Sequence, residues 1–179
     1  MNARQKNLER LRHVAIFAML GAILFVSKLV MEFLPNIHLI GALTMVYTIV
    51  YRAKALIPLY IFVFLTGLYG GFGLWWIPYL YVWTVLWAVT MLLPRQMKPV
   101  IAVPVYMTVC ALHGLLFGVL YAPSQALLFG LNFRQTLAWI AAGFPFDVIH
   151  AVGNFAVATL VLPLSATLGK LEGKFHQNH

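Results

Sequence analysis

The chain has 179 residues, of which 63% are hydrophobic and 9% charged, whereas soluble domains hold about 45–50% apolar and about 25% charged residues. A globule of this size has too little interior to bury so much apolar surface, which excludes a soluble enzyme, a nucleic-acid binder and a disordered chain. The net charge of +8 is then read as a topology signal at the ends of membrane spans, and no nucleic-acid partner is expected.

Apolar runs separated by punctuation predict an all-α integral membrane protein, a single domain over residues 1–179, with six spans at about 14–34, 37–51, 55–74, 77–93, 100–120 and 144–168. A spanning helix needs about 20 residues, so the second segment is short: either its outer end is irregular backbone lining a cavity, or its boundary is off by several residues. Residues 121–143 contain Pro123, Asn132, Arg134 and Gln135; they are read as a helical or re-entrant outer loop. The basic start and apolar run resemble a signal peptide, but the run is too long and no small-residue cleavage site follows. It is expected to stay as the first helix.

Arg4, Lys6, Arg10 and Arg12 precede span one, Arg52 and Lys54 separate spans two and three, Arg95 and Lys98 separate four and five, and Lys170 and Lys174 follow six. Ten of the 12 basic residues thus fall on one side, which the positive-inside rule makes the cytoplasm. Both termini are expected there, in the cell membrane of a prokaryote.

Within span one, Lys28 and Glu32 are spaced i, i+4 and either neutralise each other or contact a ligand. Ala15, Ala18, Gly21 and Ala22 give the same helix a smooth surface for another helix. Asn36 and His38 follow in the first outer loop, as gate residues or interfacial polar groups. Gly67, Gly70, Gly71 and Gly73 precede span four and would make a mobile lid. Trp75, Trp76 and Tyr79 sit where an interfacial belt is expected; Trp83 and Trp87 lie deeper, i, i+4 on one face with Tyr79 and Trp76, and a continuous stripe facing inward would suit a flat ligand. The lone Cys110 is read as a small packing residue.

His113 lies in span five beside Gly114 and Gly118, where close helix approach is expected and an interhelical hydrogen bond is the ordinary use of such a histidine. The last span opens on Gly143-Phe144-Pro145-Phe146-Asp147-Val148-Ile149-His150 followed by Asn154. Pro145 is expected in its first turn, where a missing N–H costs little. Asp147, His150 and Asn154 share one helical face and would either line an outer cavity or hold helices together. Ionisable groups inside a bilayer are costly, so each is a functional candidate. No spacing supports a metal site built from His38, His113, His150 and Asp147, and no nucleotide-binding, nucleophile-elbow or zinc-protease motif is present. No enzymatic activity and no covalently bound cofactor are expected.

Six spans, the Ala18-x-x-x-Ala22 pattern and the Gly-Phe-Pro-Phe-Asp-x-x-His-x-x-x-Asn run resemble, over essentially the whole chain, an energy-coupling factor (ECF) transporter S component. The resemblance implies a substrate-binding subunit that docks through Ala18 and Ala22, with Ala15 beside them, onto a transmembrane coupling subunit. Two cytoplasmic ATPases drive that subunit, and the S component topples in the membrane to release its substrate. It further implies that loops 34–38 and 70–78 gate the pocket. Asp147, His150, Asn154, Trp76, Tyr79, Trp83, Trp87, His113, Asn36 and His38 are the implied substrate contacts. Many relatives carry Lys where this chain has His150. The N-terminus is not His-rich as nickel or cobalt uptake would require, so the implied ligand is a vitamin: a cobalamin, a folate, a pyridoxine-like compound or pantothenate. The competing expectation is a stand-alone proton-coupled carrier using Asp147 and His150 as its relay.

Overall fold

In the computed structural model the chain forms α1 (Ala3–Val30), α2 (Ile40–Tyr51), α3 (Leu56–Gly70), α4 (Tyr79–Leu92), α5 (Pro99–Leu115), α6 (Phe117–Phe129), α7 (Phe133–Val157) and α8 (Val161–Gln177). Short 3-10 turns at Arg52–Ala55, Leu74–Trp76 and Ala158–Leu160 join them. The structure describes residues 3–34 and 36–177, with side chains for 4–34 and 36–173. Pro35, between α1 and α2, and the side chain of Lys174 lie outside the described residues.

Local chemistry sets the helix ends. Pro99 opens α5, where its missing N–H would be unpaired in any case. Gly130 closes α6 in the left-handed region, at φ 65°, a conformation glycine adopts without a Cβ clash. Asn132 and Gln135 form a capping box at the start of α7, so two otherwise unpaired backbone N–H groups are satisfied. That cap moves the last long helix. It begins at Phe133, so residues 121–143 are the end of α6 and the first turns of α7, helical as one of the two expectations had it. Pro145 is inside α7, not in a first turn; a bilayer helix tolerates an internal proline when its surroundings re-satisfy the freed carbonyl. The expected fifth span is broken at Leu116, φ −93°, ψ 5°, and the expected sixth at Ala158–Leu160.

Contacts give the relative directions. Tyr51 stacks edge-on against Phe17 at 5.2 Å, and Tyr47 Oη donates to the Leu20 carbonyl at 3.2 Å, so α2 runs against α1. Phe25 meets Tyr69 at 5.8 Å and Gly21 lies against Ile61 and Pro58, so α3 runs with α1. The reversal is made at Arg52, which has φ 54°, a strained conformation for a residue with a Cβ. Two bonds hold it: Arg52 Nη2 donates to the Met91 carbonyl at 2.6 Å, and Trp87 Nε1 donates to the Arg52 carbonyl at 3.1 Å. The second segment begins its helix only at Ile40, with residues 37–39 irregular.

Among the described residues five helical stretches are long and apolar enough to cross a membrane, Ile40–Gly70 counting as one, and between 22% and 33% of their apolar windows is buried inside the protein. The remaining apolar surface, such as Val100 and Leu92, faces outward and needs an apolar solvent. An all-helical membrane protein of several passes accounts for this surface, and no strand occurs among the described residues.

Candidate substrate site

Helices α5 and α7 approach each other through glycines. A Cβ on Gly114 would meet Asn154 Nδ2 at 2.9 Å and the His150 carbonyl carbon at 3.0 Å, and one on Gly118 would collide with the Asp147 carboxylate. Close approach at Gly114 and Gly118 was expected, and it brings the polar face of α7 against α5 and α6. Asp147, His150 and Asn154 are all buried.

Each of the three has a different task. Both oxygens of Asp147 accept from the Gly118 N–H at 3.2 Å. The carboxylate therefore caps the first turn of α6 from a neighbouring helix, where the free N–H groups and the helix dipole favour negative charge. Asn154 Nδ2 donates to the Cys110 carbonyl at 3.0 Å, fastening α7 to α5; Cys110 is buried as a packing residue. His150 packs its ring 4.8 Å from His38 and 4.9 Å from Phe117.

From these rings a cluster extends across four elements. Trp83 of α4 is 1% exposed and lies 5.7 Å from His38, 5.5 Å from His113 and 5.6 Å from Phe117. His113 Nε2 bonds the Val82 carbonyl at 3.0 Å, the interhelical bond expected of it. A carbonyl only accepts, so Nε2 carries the hydrogen, and the neutral ring leaves Nδ1 as a bare acceptor. Tyr79 joins the edge of the cluster, 6.0 Å from Trp83. Asn36 is exposed, and its Nδ2 reaches the Phe146 carbonyl at 3.4 Å, tying the loop between α1 and α2 to α7.

Five buried polar atoms of this cluster have no hydrogen-bond partner: His38 Nδ1, Trp83 Nε1, His113 Nδ1, His150 Nε2 and Asn154 Oδ1. Each such atom costs about 1–3 kcal/mol when left unpaired. Five such atoms on neighbouring residues distinguish this region from ordinary packing.

The aromatic stripe divides. Trp87 serves the turn at Arg52, at the far end of α2 from His38, about 18 Å along a helix of this length. Trp76 donates Nε1 to the Val63 carbonyl at 2.7 Å and packs edge-on against Phe72 at 5.0 Å. All four stripe residues face the core, but only Tyr79 and Trp83 reach the cluster. Trp83 and Trp87 share a helical face, but α4 passes from the cluster to the Arg52 turn within that spacing. The glycines before α4 do not form a free loop throughout. Gly67 is inside α3, packed against Phe72 and Trp76, and the Trp75 carbonyl accepts from Tyr121 Oη. Phe117 was missed by the sequence reading; its i, i+4 spacing from His113 was the available signal.

Lys28 Nζ and Glu32 Oε1 are 3.9 Å apart, the mutual pairing that was one of the two expectations. On α1, Ala15, Ala18 and Ala22 are exposed on the outer face, whereas Phe17, Gly21 and Leu24 turn inward. Among the described residues no three His, Cys, Asp or Glu side chains are grouped to hold a metal ion.

In comparison with known proteins, no family model, no curated protein and no solved structure matches the chain.

Proposed function

We propose that the chain is the substrate-binding membrane subunit of an energy-coupled importer of the ECF S-component kind, capturing a vitamin or related micronutrient at the outer face. In this reading it crosses the cell membrane of a prokaryote six times, the Ile40–Gly70 stretch supplying two crossings of opposite direction, with both termini in the cytoplasm as the basic residues require. The observation that supports it is the set of five unpartnered buried polar atoms on His38, Trp83, His113, His150 and Asn154, the first four on residues joined by ring contacts. Polar groups left unpaired in an otherwise apolar wall are what a small-molecule site presents.

The exposed Ala15, Ala18 and Ala22 supply a second support, a face on which a partner helix can approach closely. Energy comes from a transmembrane coupling subunit and two ATPases, because the chain carries no phosphate-binding motif. The stand-alone proton carrier is less well supported: Asp147 is engaged by the α6 N-terminus through Gly118, and its relay partner His150 stacks on His38 and Phe117 instead. The test is co-purification. Tagged chain should bring down a coupling subunit and ATPases, and Ala18→Trp, on an exposed face, should abolish that association without loss of folding. Retention of the complex by Ala18→Trp would refute the docking assignment.

A further inference from the structure

We infer that the outward face of α3 holds one anionic phospholipid, its acyl chain lying along the helix and its phosphate set against Lys54. The inference rests on the membrane character of the chain and not on the importer reading. A groove of about 620 Å³ runs along α3, lined by Leu56, Ile57, Tyr60, Ile61, Phe64 and Leu65. Ile61 lies against Gly21 of α1, while Tyr60 Oη bonds the Leu80 carbonyl and Thr84 Oγ1 of α4, both at 3.0 Å. The groove therefore has α3 as its floor and a neighbouring helix on either side. Ile57, Tyr60 and Phe64 are 48%, 41% and 54% exposed, so it opens toward the bilayer. Ten residues of helix rise about 15 Å, half of a hydrocarbon core about 30 Å thick. That is the depth of one leaflet, which fits a single acyl chain better than a partner helix crossing the whole membrane.

Charge marks one end of this groove. At Leu56 it meets the Arg52–Ala55 turn, where Lys54 is exposed. Arg52 Nη2 bonds the Met91 carbonyl at 2.6 Å, which brings the segment after α4, with its exposed Arg95, to the same end of the bundle. No Asp or Glu occurs from Phe33 to Phe146. The acidic residues at this end are Glu9, on α1, and Glu172, whose carboxylate accepts from Tyr51 Oη at 3.3 Å and lies 3.9 Å from His13 Nε2. Among the described residues neither Lys54 nor Arg95 is in an ion pair. A headgroup phosphate supplies their countercharge at the level where the acyl chain begins, so the cations and the groove recognise the two halves of one molecule. Basic residues beside a span attract anionic lipid in this way, by roughly fivefold in affinity per cation. A zwitterionic lipid fills the same groove but brings its own positive group toward Lys54, and so gains no net attraction.

The experiment is a lipid titration of the full chain, delipidated in detergent and read by native mass spectrometry. The probes are phosphatidylglycerol and phosphatidylcholine with the same acyl chains. One phosphatidylglycerol should bind ahead of all further lipid, with an affinity roughly fivefold or more above that of phosphatidylcholine. Lys54→Gln should lower phosphatidylglycerol affinity by roughly fivefold and leave phosphatidylcholine unchanged, whereas Lys54→Arg should keep the preference. Ile57→Trp fills the groove and Phe64→Ala removes part of its lining, so each should weaken both lipids alike, with thermal midpoints read alongside to show that the variants are folded. Equal affinity for the two lipids, or unchanged phosphatidylglycerol binding in Lys54→Gln, overturns the headgroup assignment. Unchanged binding of both lipids in folded Ile57→Trp and Phe64→Ala overturns the groove. A photoreactive side chain in place of Ile57 should crosslink phospholipid in native membranes; crosslinking to a partner protein instead would give the groove to a partner helix and overturn the inference.

Discussion

Substituting Gly114 tests the close approach on which the whole site depends. In Gly114→Ala the new methyl would lie 2.9 Å from Asn154 Nδ2, 3.0 Å from the Ala151 nitrogen and 3.0 Å from the His150 carbonyl carbon. Two of these are backbone atoms of α7, which cannot swing aside as a side-chain tip can. Helices α5 and α7 must separate by a few tenths of an ångström, and overpacking of this kind costs about 1–3 kcal/mol. Alanine also favours a helix over glycine by about 1 kcal/mol, which would mask part of the loss. Gly143→Ala is the matched control, because Gly143 is also inside a helix and a Cβ there meets nothing within 4 Å. The propensity gain cancels between the two variants, leaving a difference of about 1–3 kcal/mol in favour of Gly143→Ala. For a chain of this size each kcal/mol shifts the midpoint by about 2–4 °C, so thermal unfolding in detergent should separate the two by about 2–12 °C. Ligand binding should weaken in Gly114→Ala alone, since Asn154 and His150 are the groups displaced. Equal midpoints, or a more stable Gly114→Ala, would refute the packing on which the site is built.

Trp87→Phe removes the bond to the Arg52 carbonyl and should cost about 1 kcal/mol by thermal unfolding, while leaving ligand affinity unchanged; a loss of affinity would restore Trp87 to the site. Asp147→Asn keeps an acceptor for the Gly118 N–H, whereas Asp147→Leu does not, so the second variant should lose about 1–2 kcal/mol more than the first in the same assay. Cys110 is fully buried and should resist maleimide until denaturant is added. Rapid labelling of the folded protein would contradict its place between α2 and α5. Against the unreactive native cysteine, Lys98→Cys should be labelled from the cytoplasmic side only and Arg134→Cys from the outside only; the opposite pattern would invert the proposed orientation.

The helical membrane character and the α5–α7 seam were legible because apolar run length and small residues act locally. The polar face of α7 was legible for the same reason: Asp147, His150 and Asn154 follow helical spacing. Two things were not. The start of α7 was placed at the proline-containing run because Pro145 looked like a boundary. The capping box of Asn132 and Gln135 sets it at Phe133 instead, with Pro145 inside the helix. The tasks of individual aromatics were hidden as well, since spacing on α4 places Trp83 and Trp87 on one face. Only the tertiary position of the Arg52 turn reveals that one fills the cluster and the other braces a strained backbone. Phe117 opens α6 just past the break at Leu116, where α5 ends, a break that the apolar run does not mark.

The central claim is that this chain binds a small molecule by itself and needs other chains to move it. Native mass spectrometry of the isolated protein tests that claim most directly. The account predicts a stoichiometric small-molecule adduct on the chain alone, retained without ATP and weakened in Trp83→Phe. It would be contradicted by a bare mass, together with uptake into vesicles holding this chain alone that is driven by a proton gradient.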